Sequence, residues 1–436
     1  MIHEVKNQKF KYITDNSNEA GENTAFVKTA QNGAYEKEAQ KSGCKTLISV
    51  HECFEILGIN PDLKIIGITG TNGKTTTAAA IYSMLLDLGK NAALQGTRGC
   101  FINDKCVDEK SLTTPSILHT LINMQKASQQ QCSYFVMEAS SHAIVQKRIE
   151  GLKFALKIFT NISQDHLDFH KSMSEYINAK SSFFSDDSSK LINKDDENIR
   201  YNLKNALTYG IEKPSTYQIT AYALRGGIEM AVQYANKTHA FSSALQGKFN
   251  LYNLLAAISA VHILEKAPFE EINEALANFA GVSGRMEIVN SNPLVIVDFA
   301  HTPDGMEKVL EAMRENELVV VFGAGGDRDR LKRPLMGKIA QKYAKRLYIT
   351  SDNPRSENAE DIIEDIACGM DKGLNIYKIA DRKEAVIEAL KSLQPKEVLM
   401  ILGKGDEAYQ EISGVKRPYS DKEVVQTFLK VKIDKI

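Results

Sequence analysis

The sequence predicts an α/β protein with three domains, and three observations lead to this prediction. The chain has 436 residues, which is too long for one ordinary domain. Short apolar runs alternate with helical segments over two separate stretches, and most of these runs end in a cluster of polar residues. Strands of parallel sheets have this pattern, because helices cover both faces of the sheet.

The N-terminal domain is predicted as a small α/β module over residues 1–62. This stretch is polar and rich in turn-forming residues, especially at 14–18 and 21–23. It ends near Pro61, where the texture of the sequence changes to apolar runs. That change sets the predicted boundary.

The central domain is predicted over residues 63–281, around a largely parallel sheet. Its strands are predicted in IIGITG (65–70), YFVMEAS (134–140) and ALKIFTNI (155–162), and a helix over 75–88 stops at Gly89. Residues 205–245 combine alternating and turn-rich pieces, which predicts an antiparallel extension of this sheet.

The C-terminal domain is predicted as a Rossmann-like α/β domain over residues 282–436. Ligands of open α/β sheets bind beyond the carboxyl ends of the strands, so the polar clusters that end these strands are candidate site residues. The predicted strands are PLVIVDFAH (293–301), ELVVVFGAGG (317–326), KRLYITSDNPR (345–355) and EVLMILGKGDE (397–407), with helices over 304–314, 359–370 and 382–393. GAGGDRDR (323–330) is like a dinucleotide fingerprint but has Arg328 in place of the third glycine, so NAD binding is not predicted.

Composition narrows the class of protein. Lysine and arginine number 54 against 55 acidic residues, which argues against a protein that coats nucleic acid or a membrane surface. No apolar stretch of membrane-spanning length appears, and the first residues lack the apolar core of a signal peptide. The cysteines are scattered and predict reduced thiols of a cytoplasmic protein: Cys44, Cys53, Cys100, Cys106, Cys132 and Cys368.

The loop between the first central strand and its helix predicts an ATP site, which makes the central domain P-loop ATPase-like. The loop GTNGKT (70–75) is shorter than the general phosphate-binding pattern, because Ile68 stands where the first glycine belongs. Its backbone N–H groups and the helix N-terminus can still bind phosphate oxygens. Lys74 would reach the β- and γ-phosphates, and the Thr75 hydroxyl would bind Mg²⁺.

Two further clusters are candidate metal ligands. Glu138 ends a buried strand, where a carboxylate is costly without a cation. NISQDHLDFH (161–170) places His166 and His170 four residues apart, a spacing compatible either with a metal pair or with hydrogen-bonded loop histidines. Because Thr75 and Glu138 are expected at adjacent strand ends, His166 becomes the candidate for a second metal. Lys180 lies in a predicted helix, where its position alone predicts a surface lysine.

The cluster Asp352-Asn353-Pro354-Arg355 is a candidate carboxylate site. Pro354 stiffens the turn and helps to fix Arg355, whose guanidinium can bind a carboxylate through two hydrogen bonds. Taken by itself, the same cluster is more typical of a capped turn before a helix.

Together these motifs resemble those of the Mur ligases, the ATP-dependent amide-bond-forming enzymes of peptidoglycan synthesis. They occur in the family's order over nearly the whole chain, and DNPR is the form associated with members that add meso-2,6-diaminopimelate. The motifs are GTNGKTT (70–76), TTP (113–115), MEASSHAIVQKRI (137–149), TNISQDHLDFH (160–170), the AK pair ending at Lys180, GKFNLYN (247–253), GRMEIV (284–289), DFAHTPD (298–304), FGAGGDRDRLKRPLM (322–336), DNPR (352–355) and GKGDEAYQ (403–410).

The resemblance implies a cytoplasmic, monomeric ligase that joins meso-2,6-diaminopimelate to UDP-MurNAc-L-Ala-D-Glu through an acyl phosphate made with ATP. From the balanced charge of the chain, no nucleic-acid or membrane partner is expected. Lys74, His166 and Lys180 match catalytic residues. Two Mg²⁺ ions are implied, one held by Thr75 and Glu138 and the other by His166 with Lys180, which matches a lysine that is carbamylated in the family.

The resemblance also implies three sets of binding residues. For ATP they are Gly70, Thr71, Asn72, Gly73, Lys74, Thr75, Thr76, Asn250, Asn253, Arg285, Asp298 and His301. For the UDP-linked dipeptide they are Ser17, Thr113, Thr114, Ser140, Gln146 and Arg148. For diaminopimelate they are Arg328, Asp352, Asn353, Pro354, Arg355, Gly403 and Glu407.

Three positions depart from the family pattern, and two other functions stay open. The leading D-S-R motif reads Asp15-Asn16-Ser17, Asp406 stands where relatives commonly have histidine, and Phe299 replaces a frequent tyrosine. A folylpolyglutamate synthetase-like ligase would share the loop and both ATP-binding domains. A P-loop switch protein would use ATP to change shape without ligation.

Overall fold

The computed structural model describes residues 1–109, 112–371 and 375–433. Three sheets follow one another along the chain, accompanied by helices and by one two-stranded hairpin. The predicted α/β class with three successive units is confirmed, whereas the boundaries at 62/63 and 281/282 stay predictions. The last three residues of the predicted C-terminal range lie outside the described residues.

The N-terminal sheet has the order β1-β2-β3-β4, with β1 antiparallel to β2 and the other pairs parallel. Its apolar side chains, including those of Val27 and Ile48, share one core with Leu118 and Ile122 of the following unit. The small sheet is therefore packed onto the central sheet. Its elements are β1 (Ile2–Glu4), β2 (Tyr12–Thr14), β3 (Thr24–Lys28), α1 (Glu36–Lys41), β4 (Thr46–Ser49) and α2 (Val50–Ile56).

The central sheet has eleven strands in the order β15-β14-β13-β12-β11-β10-β5-β9-β6-β7-β8. Strands from β13 to β6 are parallel, and antiparallel strands extend both edges. The predicted antiparallel extension is confirmed. Its elements are β5 (Lys64–Thr69), α3 (Lys74–Asp87), β6 (Ala92–Gly96), β7 (Gly99–Ile102), β8 (Lys105–Asp108), α4 (Ile117–Gln129), β9 (Tyr134–Glu138), α5 (Ser141–Val145), β10 (Phe154–Phe159), α6 (Leu167–His170), α7 (Met173–Ser182), β11 (Lys190–Asn193), β12 (Ala206–Gly210), β13 (Tyr217–Ala223), β14 (Ile228–Tyr234), β15 (Lys237–Ser243), α8 (Lys248–Glu265) and α9 (Phe269–Ala277).

The C-terminal sheet has the order β16-β17-β21-β18-β19-β20, and all its pairs except β16–β17 are parallel. Helices pack on both faces: Met306 and Met336 belong to one core, and Val386 and Val425 to the other. This is the predicted Rossmann-like arrangement. Its elements are β16 (Glu287–Ser291), β17 (Leu294–Asp298), α10 (Pro303–Ala312), β18 (Glu317–Phe322), α11 (Lys332–Tyr343), β19 (Ala344–Thr350), α12 (Ala359–Ala367), β20 (Asn375–Ile379), α13 (Arg382–Ser392), β21 (Glu397–Leu402), β22 (Tyr409–Ile412), β23 (Val415–Pro418) and α14 (Asp421–Ile433).

Two predictions from composition can be compared with the structure. All six cysteines are free, and four of them are buried, as expected for reduced thiols. Over the described ranges, no helix has the length and apolar character needed to cross a membrane.

Candidate active site

A cavity of about 1000 Å³ lies where the carboxyl ends of the central and C-terminal strands meet. Most of the predicted site residues line it, although they come from widely separated parts of the chain. They are residues 70–76, Thr113, Glu138, Ser140, His166, Lys180, Asn250, Asn253, Arg285, Asp298, His301, Arg328, Asp352, Asn353, Arg355, Gly403 and Glu407. The other five, Ser17, Thr114, Gln146, Arg148 and Pro354, are not part of its lining.

The phosphate loop is held in place by the end of the neighbouring strand β10. The Thr160 hydroxyl donates to the carbonyl of Asn72 (2.6 Å), and the Asn161 side chain accepts from the Asn72 N–H (3.0 Å). Gly73 has a φ of 85°, and a Cβ there would lie 2.1 Å from the Asn253 side-chain oxygen. Glycine at this position therefore permits both the left-handed backbone and the approach of Asn253.

Asn250 and Asn253, predicted to contact ATP, lie on helix α8 beside this loop. The Asn253 amide donates to the Asn250 oxygen (2.9 Å), and the Asn250 amide donates to the carbonyl of Gln246 (2.8 Å). Both side chains are buried. These hydrogen bonds fix the two amides against the phosphate loop.

Two lysines meet at the loop. Lys74 Nζ donates to the carbonyls of Gly70 and Thr71 (both 2.8 Å), and Lys180 Nζ donates to the same Gly70 carbonyl (2.8 Å). Lys180 is only 1% exposed, so the prediction of a surface lysine from its position alone was wrong. Burial, and then the Lys74 charge, lower the pKa of Lys180 well below its usual value.

Helix α7 explains why Lys180 is buried. Tyr176 lies one helical turn earlier, on the same face, and is also buried. The Tyr176 hydroxyl lies 3.0 Å from the Thr71 hydroxyl, and the Lys180 ammonium lies 4.7 Å from the centre of the Tyr176 ring. The tyrosine and lysine spaced by four residues thus form the face that packs on the phosphate loop.

Glu138 ends strand β9 as a buried carboxylate. It accepts hydrogen bonds from the Thr75 hydroxyl (3.0 Å), the Thr97 N–H (2.8 Å) and the Thr97 hydroxyl (3.2 Å). These donors are all neutral. A buried carboxylate that is held by neutral donors beside a phosphate loop is suited to a metal cation.

The two histidines of NISQDHLDFH have different environments. His166 lines the cavity, precedes helix α6 with a φ of 55°, and has its Nε2 3.3 Å from Asp165. Burial lowers the pKa of His166, which favours the neutral imidazole that can bind a metal. His170 instead hydrogen-bonds the Ser141 hydroxyl (2.9 Å). The four-residue spacing is therefore not a metal pair.

No ready-made metal cage is present in the described part of the chain: no three His, Cys, Asp or Glu side chains converge in a way that could hold an ion. A metal at Glu138 or His166 would thus need hydroxyl, phosphate or water oxygens to complete its shell. Mg²⁺ accepts such a shell, because it usually binds through one or two carboxylates plus substrate phosphates.

The C-terminal half of the cavity is formed by the loops that follow β19 and β21. Arg355 has a φ of 52°; its Nη1 donates to the carbonyl of Gly326 (2.6 Å), and its Nε lies 3.5 Å from a Glu411 carboxylate oxygen. The Asn353 amide donates to the Glu407 carboxylate (2.9 Å). A guanidinium and carboxylates at one end of a cavity can bind a zwitterionic ligand.

Sequence reasoning missed two residues that hold side chains of the site, Lys404 and Thr97. Lys404 is fully buried beneath the C-terminal loops. Thr97 holds Glu138 from the turn between β6 and β7. For Lys404 a signal was available, since the lysine lies between two glycines just after the apolar run VLMIL (398–402). Thr97 has no such signal in the sequence.

The residues predicted to bind the UDP-linked dipeptide form a chain of contacts that begins at the cavity. The Thr114 hydroxyl donates to the Glu138 carbonyl (2.8 Å), and Arg148 donates to the Thr114 carbonyl (2.9 Å) and to the Gln146 side chain. Ser17 is separate: its hydroxyl donates to Glu38 within the N-terminal unit (3.4 Å).

The central and C-terminal units also contact each other directly. Asp304 of helix α10 accepts from the Asn72 amide (2.6 Å) of the phosphate loop and from the Ser163 hydroxyl (2.9 Å). Elsewhere, Asp406 forms an ion pair with Arg98 (3.3 Å). The position that differs from the family pattern therefore contributes to the contact between the units.

Comparison with known proteins identifies the family. Residues 68–261 match the Mur ligase middle domain, and residues 284–405 match the Mur ligase glutamate ligase domain. The UDP-N-acetylmuramoyl-L-alanyl-D-glutamate–2,6-diaminopimelate ligase of Wolinella succinogenes is 52% identical over 96% of this chain and 96% of its own. A solved structure of a ligase of that name has a TM-score of 0.66 and 28% identity, and the match covers 96% of this chain and 94% of that one.

A second solved structure bears on the alternative ligase. Folylpolyglutamate synthase of Mycobacterium tuberculosis, complexed with ADP, has a TM-score of 0.66 at 16% identity, covering 87% of this chain and 93% of its own. At that identity the likeness shows a shared fold alone. The domain matches and the full-length relative are far more specific, and they show that the chain belongs to the Mur ligase family.

Proposed function

We propose that the chain is the ATP-dependent ligase that joins meso-2,6-diaminopimelate to UDP-MurNAc-L-Ala-D-Glu. One observation carries this proposal: the phosphate loop shares a single cavity with the DNPR (352–355) and GKGDE (403–407) loops. An ATP-driven switch would need only the phosphate loop, whereas amide synthesis needs the nucleotide and the attacking amine side by side. The relatives named for this reaction support the same choice over a folylpolyglutamate synthetase.

The proposed reaction has two steps. A carboxylate oxygen of the terminal D-glutamate attacks the γ-phosphorus of ATP, which gives an acyl phosphate and ADP. The neutral amine of diaminopimelate then attacks the acyl carbon, and the tetrahedral intermediate loses phosphate to leave the amide. Lys74 and the N–H groups of residues 70–75 neutralise charge on the phosphates, and the cavity holds the reactants together.

The residues fit two Mg²⁺ ions. The buried Glu138 carboxylate and the Thr75 hydroxyl, 3.0 Å apart, would hold one, and the neutral His166 would help to hold the other. Bound Mg²⁺ would offset the negative charge of the phosphates during transfer. The protein's own part is to keep these ligands fixed, which Thr97 does for Glu138.

Lys180 is proposed to be carbamylated. Its lowered pKa favours the neutral amine, whose nitrogen can attack carbon dioxide. The new N–C bond gives a carbamate anion, and one proton is released. The anion would then lie near the Lys74 ammonium and would be able to serve as a ligand of the second Mg²⁺.

The proposed amino-acid pocket would favour diaminopimelate over lysine. Diaminopimelate has a distal carboxylate, which Arg355 can bind, and lysine lacks it. With lysine bound, the guanidinium would be left without that partner, which is costly in a closed site. Arg328, Asp352, Asn353, Pro354, Gly403 and Glu407 complete the proposed pocket.

The UDP-linked dipeptide is proposed to extend from the cavity towards the N-terminal unit. Thr113 and Ser140 line the cavity, and the Thr114, Gln146 and Arg148 contacts continue away from it. Ser17 would meet the uridine end. We expect the protein to act in the cytoplasm, because its proposed substrates are ATP and a nucleotide-linked precursor. We also expect it to be a monomer.

Phosphate release tests this proposal. It is measured with ATP alone, with ATP and the UDP-linked dipeptide, and with diaminopimelate added as third component. The proposal predicts sustained release only in the third mixture, together with one molecule of UDP-linked tripeptide for each phosphate. Steady release with ATP alone would favour a switch protein, and turnover with a folate substrate and glutamate would favour the other ligase.

A further inference from the structure

The buried ammonium of Lys404 lies behind the proposed amino-acid pocket. Its Nζ is 3.0 Å from a Glu407 carboxylate oxygen, 3.1 Å from the Asn353 side-chain oxygen and 3.4 Å from an Asp352 carboxylate oxygen. Those three residues line the cavity, whereas Lys404 does not. One buried cation thus joins three acceptor side chains that come from two separate loops.

Each carboxylate uses only one of its oxygens on Lys404. Within the described ranges, Asp352 Oδ2 and Glu407 Oε1 have no hydrogen-bond partner. A Cβ on Gly403 would approach Asp352 Oδ2 to 2.8 Å, so glycine at that position leaves the space beside this oxygen open. Two carboxylate oxygens are therefore left to accept hydrogen bonds from a ligand.

The charges of this group are suited to one ammonium. Asp352 and Glu407 would repel each other if no cation lay between them, and a buried charge without a partner is costly. Asp352 and Glu407 together carry a charge of minus two, and Lys404 reduces the net negative charge to minus one. A single ligand ammonium would bring that charge to zero.

The backbone of the two loops is fixed separately from Lys404. The fully buried Arg382 donates to the carbonyls of Ser351 (3.3 Å) and Leu402 (2.9 Å) and pairs with Asp421 (2.9 Å). This arginine ties the ends of β19 and β21 together beneath the pocket. Loss of the Lys404 charge should therefore disturb the pocket side chains more than the position of the loops.

We propose that Lys404 is a positioning residue of the ligase, which sets Asp352, Asn353 and Glu407 to receive an ammonium group of the incoming amino acid. This inference rests on the proposed function. It predicts that Lys404 governs amino-acid binding and the second step, and that it has little influence on ATP or on formation of the acyl phosphate.

The test replaces Lys404 with methionine, which keeps an unbranched chain without the charge, and with glutamine as a second variant. Diaminopimelate binding is measured by calorimetry with a non-hydrolysable ATP analogue and the UDP-linked dipeptide present. We expect its Kd to rise by about tenfold or more, the effect of losing charge-assisted hydrogen bonds. Exchange of label between ADP and ATP needs the UDP-linked dipeptide but no amino acid. The rate of this exchange should stay within about twofold of the rate of the natural chain.

Lys190→Met is the matched control. Lys190 is equally buried, and its ammonium donates to the carbonyls of Asp186 (2.9 Å) and Lys204 (2.8 Å) in the central unit. Its loss should lower thermal stability but leave the Kd for diaminopimelate unchanged. If Lys190→Met weakened diaminopimelate binding as much as Lys404→Met does, the effect would be a general one on folding. That result would overturn the inference.

The remaining outcomes separate this inference from the proposed function. Folded Lys404→Met or Lys404→Gln protein that binds diaminopimelate as tightly as the natural chain would overturn the inference alone. A parallel loss of ADP–ATP exchange would also overturn it, because Lys404 would then act beyond the pocket. Failure of the natural chain itself to bind diaminopimelate would overturn the proposed function, and this inference with it.

Discussion

Lys74 and Lys180 donate hydrogen bonds of equal length, 2.8 Å, to one carbonyl oxygen, that of Gly70. Two ammonium groups on one acceptor repel each other. Desolvation lowers the pKa of both lysines, and the Lys74 charge lowers the pKa of Lys180 further. Conversion of Lys180 to a carbamate would replace this repulsion by an attraction. The geometry of the phosphate loop is thus compatible with the modification that the resemblance to the family implies.

Lys180→Ala should therefore remove most of the activity. We expect kcat to fall by about 10²- to 10³-fold, the usual effect of removing one preorganised charge-stabilising group. Added formate or acetate should restore part of the rate, because a small carboxylate can take the place of the carbamate. Lys190→Ala is the control, since that lysine is buried away from the cavity. Equal rescue of both variants, or full activity of Lys180→Ala, would contradict the role.

Arg355→Ala should weaken diaminopimelate binding selectively. Loss of a charged hydrogen-bonding pair predicts a rise in its Kd of roughly 10- to 100-fold. Binding of an ATP analogue, measured in the same samples, should hardly change. Arg417→Ala on the exposed strand β23 is the matched arginine control. If Arg355→Ala weakened the binding of diaminopimelate and of the ATP analogue to a similar extent, this arginine would support the whole site. It would then not specifically bind the distal carboxylate.

Asp304→Ala should weaken ATP binding by breaking the contact between the two large units. The variant loses the hydrogen bonds from Asn72 and Ser163, which predicts a loss of affinity for an ATP analogue of about tenfold. Glu307→Gln on the same helix is the control, because Glu307 pairs with Lys342 at 2.9 Å and does not contact the loop. Unchanged affinity in Asp304→Ala would show that this contact does not support the phosphate loop.

The sequence predicts the elements around the cavity better than the contacts within it. The apolar runs before Gly70, Glu138 and Asp352 form the expected strands, because a strand buried on both faces has a strong local pattern. The helix predicted over 359–370 ends earlier, at Ala367, and Gly369 packs closely on the Pro334 carbonyl. Tertiary packing sets that boundary.

Burial of polar groups was the hardest feature to predict. Lys180 lies in EYINAKSSFF (175–184), a stretch of mixed polar and apolar residues. Nothing local indicates that the helix face of Tyr176 packs on a loop more than one hundred residues earlier. The resemblance to the Mur ligases corrected that interpretation. Neither the local sequence patterns nor the resemblance assigned a role to Lys404 or Thr97. Their contacts depend on side chains that only the fold brings together.

Acid stability should depend on the ion pair of Glu357 with Arg333. Two hydrogen bonds from the buried guanidinium, 2.8 and 3.0 Å long, lower the pKa of Glu357 from 4.5 to about 2. A carboxylate whose pKa is depressed in the folded state stabilises the fold above its unfolded pKa. That contribution is lost as the pH falls from about 4.5 towards 2.

Glu357→Gln should therefore be less stable near neutral pH and should lose less stability than the natural chain over that acid range. Urea unfolding at a series of pH values measures both effects. Glu364→Gln, at an exposed ion pair with Lys378 on the same side of the sheet, is the control and should follow the natural chain. If the free energy of unfolding of the natural chain and of Glu357→Gln fell equally over the acid range, the Glu357–Arg333 ion pair would not contribute to acid stability as predicted.

The most direct measurement of the central claim follows one oxygen atom. The UDP-linked dipeptide is prepared with oxygen-18 in the γ-carboxylate of its D-glutamate, and the enzyme turns it over with ATP and diaminopimelate. An acyl phosphate predicts that each released phosphate carries one oxygen atom from that carboxylate, because the amine displaces the phosphate together with it. Tripeptide formation with unlabelled phosphate would contradict the account.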